Sequence, residues 1–214
     1  MARRGLFITF EGGEGVGKST QIARLATRLG ELGRAVVVLR EPGSTAIGEQ
    51  IRSVLLDPAN TDLDAHAELL LYEAARAQMV GQIVMPALER GDVVLCDRFN
   101  DSTMAYQGVA RGLGEGTVAQ VDEVACRGIV PDRTILLVND TAESLERARR
   151  AGGADRIEGE SVEFHAKVHR AFEDIADRDP ARVRRVAMVP GDIDATAEAV
   201  FGQVADLFGE GGAR

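Results

Sequence analysis

The chain has 214 residues, 45% of them apolar, and a formal charge of −9. That size allows one substantial core, and the acidic balance argues against a long polyanion as partner, because such binding draws on a basic surface that releases counterions. Cys96 lies in an apolar run and Cys126 in a helical pattern; neither has metal-ligand spacing, so both read as buried thiols in a reducing compartment. Met1-Ala-Arg-Arg-Gly5 is followed by a short apolar run that ends before Glu11, so no signal segment is expected. No apolar run approaches the ~20 residues of a membrane span. The expectation is a cytoplasmic protein that binds neither membrane nor nucleic acid polymer.

In chain order, apolar runs predict strands at 6–10, 35–39, 93–96, 134–138 and 183–189. Apolar positions three and four apart predict helices at 19–32, 45–56, 65–90, 116–127, 141–150, 161–176 and 194–208, with Gly30 and Gly33 as stops for the first. A β-then-α alternation implies a parallel five-stranded sheet with helices on both faces, since each parallel pair needs a crossover. Residues 1–214 read as one domain, and ligands are expected beyond the carboxyl ends of the strands.

After the first strand, Gly12-Gly13-Glu14-Gly15-Val16-Gly17-Lys18-Ser19 satisfies GxxxxGK[ST] and leads into a helix that continues through Thr20. Glycines let successive backbone N–H groups turn inward, the helix start adds its positive end, and Lys18 adds a mobile cation for the β- and γ-phosphates. Ser19 is a Mg²⁺ ligand candidate. These residues predict a P-loop and hence a nucleotide site; a GTPase switch or binding module would use the same cradle.

The run Val93 to Cys96 ends in Asp97-Arg98-Phe99, which places a carboxylate and a guanidinium fork at a strand's carboxyl end. The carboxylate suits Mg²⁺ and the fork suits a phosphate; a helix-capping Asp paired with its neighbour is the plainer reading. Over nearly its whole length the chain resembles bacterial thymidylate kinases. The resemblance is carried by Phe10 to Thr20, Arg40-Glu41-Pro42-Gly43, the stretch 67–78 (AELLLYEAARAQ), Asp97-Arg98-Phe99 with Ser102-Thr103 and Ala105-Tyr106-Gln107-Gly108, and Asp155-Arg156-Ile157-Glu158. It implies a three-layer P-loop fold with a small lid at about 147–158, ATP and Mg²⁺ as cofactors, and dTMP as acceptor.

Position by position, the resemblance implies that Tyr72 stacks on thymine and that Arg76 reaches the base edge. Glu14 holds the 3′-hydroxyl, Arg98 the acceptor phosphate, and Tyr106 lies against C2′. Gln107, Ser102, Arg40 and Arg52 are further acceptor-side positions. Taken singly, Tyr72 and Tyr106 also read as core residues, and Arg52 and Arg76 as solvated helix charges. A homodimer through packed helices is likewise implied.

The stretch from Arg147 to Arg156 holds four arginines against one acid, around Gly152 and Gly153. Cations also gather at helix C-termini. The P-loop, however, offers only Lys18, and transfer concentrates charge on the γ-phosphoryl oxygens; the resemblance, to enzymes that bring an arginine from a mobile lid where the P-loop lacks one, implies Arg149, Arg150 and Arg156 as the candidates for a closing lid. The expected reaction is in-line transfer from ATP to dTMP without a general base, the alternative being a deoxynucleoside kinase that needs one. His165 and His169 lack a third ligand and read as surface or packing residues. Arg182, Arg184 and Arg185 read as solvating charges. The strand exit 189–192 departs from the family pattern near adenine, and Ser44 stands where a second glycine is usual.

Overall fold

In a computed structural model that describes residues 4–139 and 155–209, five strands form one all-parallel sheet in the order β2-β3-β1-β4-β5. They are β1 (Leu6–Glu11), β2 (Val36–Arg40), β3 (Val93–Asp97), β4 (Arg133–Val138) and β5 (Val183–Ala187). The expected strands match these within a residue or two, because buried β-branched runs between turn signals leave little ambiguity.

Side chains alternate between two buried faces. Ile8, Phe10, Val93, Leu95, Ile135 and Leu137 pack on one face against α1 (Lys18–Glu31) and α8 (Ile193–Gly202). Phe7, Val94 and Cys96 face the other side beneath α3 (Ala65–Met79) and α4 (Met85–Arg90). Leu136 on that same side meets α7 (Val162–Arg178). In α1 the buried residues Gln21, Ile22, Leu25 and Leu29 recur at helical spacing. Side-chain caps start α2 (Ala46–Leu56, Thr45 to Gly48 N), α3 (Asp64), α7 (Ser161) and α8 (Asp192), each satisfying backbone N–H groups that the helix cannot.

Two helical features depart from the periodicity. The single helix expected over 65–90 is interrupted by a π-turn at Val80–Val84, just before Pro86, which has no N–H for the helical ladder. A short helix, α5 (Asn100–Thr103), runs directly into a second π-turn, Met104–Ala110, before α6 (Glu115–Cys126). No element is expected from the sequence at 100–110. The helix expected at 141–150 lies outside the described residues.

Arg182 corrects the expectation of a solvating charge. Its side chain is 18% exposed and donates through Nη1 and Nη2 to Asp101 at 2.7 and 3.0 Å, and through Nε to Asp179 at 2.9 Å. It thereby ties α5 to the entry of β5. Arg185 is likewise held, by Glu173 and Asp177. His165 is buried edge-on to Phe164, and among the described residues no cluster of His, Cys, Asp or Glu could hold a metal.

Candidate active site

The parallel pairing of β1 with both β3 and β4 brings the P-loop beside the tip of β3, since Phe10 is in register with Asp97. Gly12, Gly15 and Gly17 take φ values of 130°, 66° and 96°, which turn the loop tightly enough for its N–H groups to face inward. At Gly12 a Cβ would stand 2.5 Å from the Leu137 carbonyl oxygen, so no other residue fits there. Val16 is buried in the core and anchors the loop from beneath. Lys18 lies across the turn, donating to the carbonyls of Gly12 and Gly13 at 3.2 and 2.9 Å. Burial and the neighbouring Arg98 pull its ammonium below the usual lysine range, a cost that an anionic ligand relieves.

Asp97 and Arg98 emerge where the sequence placed them. The Ser19 hydroxyl donates to Asp97 Oδ2 at 3.0 Å, and Phe99 rather than Asp97 precedes α5. Arg98 sits at φ 71°, a left-handed conformation that a bulky residue adopts only under constraint. Its N–H donates to Phe10 O at 2.9 Å, and its Nη1 to Gly12 O and to Ser102 Oγ at 3.1 Å each. Its Nη2 donates to Glu14 Oε1 at 2.5 Å, and the Tyr106 hydroxyl donates to the same oxygen at 3.0 Å. Burial opposes the Glu14 charge, but Arg98 and Lys18 outweigh it and hold the carboxyl down to about 2.

Glu11, which the sequence reading did not single out, braces this turn from inside. It accepts from Phe99 N–H at 2.8 Å and from the Ser102 hydroxyl at 2.5 Å. Burial first, and Asp101 second, push its carboxyl up to about 8. The signal for it was a charged residue ending an otherwise apolar strand.

Two clefts meet here. The first, along the P-loop, is lined by residues 14–20 together with Arg40, Asp97 and Arg98. The second is lined by Tyr72, Arg76, Ser102, Tyr106 and Gln107, and by Asp155 and Ile157 from the segment after the glycine pair. Glu14, Glu41, Arg52 and Arg98 belong to both, so the cradle and the second pocket form one continuous cleft. Arg52 is fixed by donating to Pro42 O at 2.9 Å, while Arg40 is 55% exposed on its side chain and pairs with Glu49. Ser44, at φ 66°, closes the intervening turn by accepting from Arg40 N–H.

Two expectations change. Arg76 is no solvated charge: its side chain is 1% exposed. It donates through Nε and Nη2 to Glu41, through Nη1 to Glu73 at 2.7 Å and Asp122 at 3.0 Å, and through Nη2 to Thr103 at 2.8 Å. All five guanidinium N–H groups are thus committed, so Arg76 acts as a wall clamp, and a base could reach it only by sharing a donor. Arg156 does not face the phosphate cleft. Its Nη2 pairs with Glu68 Oε2 at 2.6 Å, its Nε donates to Leu55 O and its N–H to Leu56 O, because a buried carboxylate captures it. Arg149 and Arg150 lie outside the described residues.

A P-loop that shares one cleft with a second pocket, itself equipped with an arginine fork, defines a P-loop nucleotide kinase. Within that class the chain belongs to the thymidylate kinase family, whose model matches residues 10–191. It is 46% identical over 206 residues to the thymidylate kinase of Pelobacter propionicus, covering 94% of each chain. It is 49% identical over 179 residues to that of Deinococcus radiodurans, covering 84% of this chain and 86% of the relative. The crystal structure of thymidylate kinase from Ehrlichia chaffeensis superposes with a TM-score of 0.77 at 32% identity, across 94% of this chain and 99% of the other. No described helix is long and apolar enough to cross a membrane.

Proposed function

We propose that the protein transfers the γ-phosphoryl group of ATP to dTMP, giving dTDP and ADP, with the P-loop as donor site and the second pocket as acceptor site. The carrying observation is the shared wall: Glu14 and Arg98 border both clefts, so a donor phosphate in the cradle and an acceptor phosphate in the second pocket would be neighbours, as in-line transfer requires. The loop N–H groups and Lys18 hold the β- and γ-phosphates. Arg98 turns its fork toward the acceptor phosphate, whose attacking oxygen is already anionic near neutral pH, so no base is required. Tyr72 stacks on the base, Tyr106 packs against C2′ and disfavours a ribose hydroxyl, and Glu14 accepts from the 3′-hydroxyl.

Ser19 Oγ and Asp97 Oδ2, both hard oxygens 3.0 Å apart at the mouth of the cradle, fit Mg²⁺, an ion bound through few protein oxygens with phosphates and water completing its shell. When bound, that ion neutralises phosphate charge. Arg149 and Arg150 are the arginines left to close over the transferring group, now that Arg156 is engaged elsewhere. The homodimer is carried by the resemblance and by Val54, Leu70 and Val124, exposed on α2, α3 and α6; the mass in sedimentation equilibrium checks it.

A coupled ADP-release assay tests the reaction. ADP release that requires dTMP and exceeds release with thymidine is expected. Equal release without an acceptor would sink the proposal in favour of a hydrolytic switch, and faster turnover of thymidine would favour a nucleoside kinase.

A further inference from the structure

Glu68 has no place in the transfer chemistry, yet its side chain is 1% exposed at the centre of a polar cluster behind the acceptor pocket. It lies one helical turn before Tyr72 on the same face of α3. Its Oε1 accepts from Gln107 Nε2 at 2.7 Å and from Arg111 Nε at 3.2 Å; its Oε2 accepts from Arg111 Nη2 at 3.2 Å and pairs with Arg156 Nη2 at 2.6 Å. Burial opposes its ionisation, but the hydrogen bonds from Gln107 and Arg111 and the pair with Arg156 bring its carboxyl below the ordinary range. Two arginines therefore maintain a buried anion next to a residue that lines the acceptor pocket.

We propose that Glu68 is a positioning residue that sets which nucleobases the acceptor pocket takes, by orienting the Gln107 amide. An ionised carboxylate only accepts hydrogen bonds, so Gln107 must turn its NH₂ group toward Glu68. Its carbonyl oxygen is then the polar atom that it can turn toward the pocket. An acceptor there matches a pyrimidine whose N3 carries a hydrogen, as in thymine and uracil. It opposes cytosine, whose N3 is itself an acceptor. A pocket built to satisfy one hydrogen-bond polarity rejects the other strongly, because both buried acceptors are then left unpaired. The engagement of Arg156 has a purpose in this reading: together with Arg111 it keeps Glu68 charged, and so keeps the amide one way round.

The inference rests on the second pocket being the dTMP site, and the experiment separates the two. Unaltered enzyme that fails to phosphorylate dTMP would sink the site reading itself. With that activity present, Glu68→Gln is compared on dTMP and dCMP. Glutamine can donate as well as accept, so the Gln107 amide is free to reverse. KM for dTMP is expected to rise about tenfold and the preference for dTMP over dCMP, as a ratio of kcat/KM, to fall about tenfold or more. KM for ATP stays within about twofold, and Glu68→Asp, still an acceptor only, recovers most of the preference. An unchanged preference in Glu68→Gln, or a fall in kcat alone for both acceptors, overturns the proposal. Should Glu68→Gln not fold, Gln107→Leu, which removes the carbonyl and leaves Glu68 with its arginines, must lose the same preference; retention of it overturns the proposal too.

Discussion

Arg98→Gly is expected to lower kcat/KM for dTMP by about 10³-fold while KM for ATP changes by only a few-fold, as steady-state kinetics with each substrate varied will show. Arg98 borders both clefts and is the only arginine whose guanidinium is bonded to the P-loop backbone and to Glu14 among the described residues. On the proposed reading its loss removes the fork that aligns the acceptor, and it leaves Lys18 as the remaining cation that lowers the Glu14 carboxyl. Glycine is the informative replacement because Arg98 sits at φ 71°, where glycine is unstrained. A backbone that relaxes and an activity that collapses together would assign the effect to the guanidinium. Arg98→Lys keeps the charge without the fork and is expected to recover less than a tenth of the activity. Activity within about threefold of the unaltered enzyme in Arg98→Gly would remove the residue from the mechanism.

The second large effect is on stability. Arg76→Leu leaves Glu41, Glu73 and Asp122 facing one another with their shared cation gone. Breaking a buried pair by deleting one partner costs about 3–5 kcal/mol. Against a net stability of about 5–15 kcal/mol, that corresponds to a Tm about 10 °C lower in a domain of this size. The loss is expected to deepen with pH. Burial already pushes the Glu73 carboxyl up to about 7, with Arg76 working against it. A carboxyl raised in the folded state binds its proton there while the unfolded chain has released it, so stability falls as pH rises from about 4.5 to about 7. Without Arg76 the folded values climb further and the decline steepens and extends above neutrality. Thermal melts of both proteins at pH 5.5 and pH 8 check this; a smaller Tm difference at pH 8 would contradict it. The kinetic consequence follows from Glu41, a pocket wall that Arg76 holds in place.

Much of the donor half was legible in the chain because its chemistry is local. Gly12 to Ser19 are consecutive, and a strand on one side and a helix on the other are enough to turn their N–H groups inward. Asp97 and Arg98 could be located because a buried parallel strand must end near the ligand. Their proximity to the P-loop followed only from the register of β1 with β3. The partners of Arg76 and Arg156 were not legible for one reason: a sequence displays each arginine's charge but not the buried carboxylate waiting for it. Glu41 follows β2, Glu73 lies in α3 and Asp122 in α6, and Glu68 lies 88 residues before Arg156. The segment 100–110 was missed because its helix rests on packing against β4 and α7 rather than on its own periodicity.

What the sequence by itself determined is therefore the α/β alternation, the phosphate cradle, the pair at the tip of β3 and, by resemblance, the family. These depend on short-range spacing and on the period of apolar residues, which survive in one dimension. The tertiary structure alone decided which cation serves which anion: Arg98 to Glu14, Arg76 to the wall of the acceptor pocket, Arg156 to Glu68. Ion pairing in a low-dielectric interior is settled by distance and burial, and residues far apart in the chain acquire both only when the sheet has assembled.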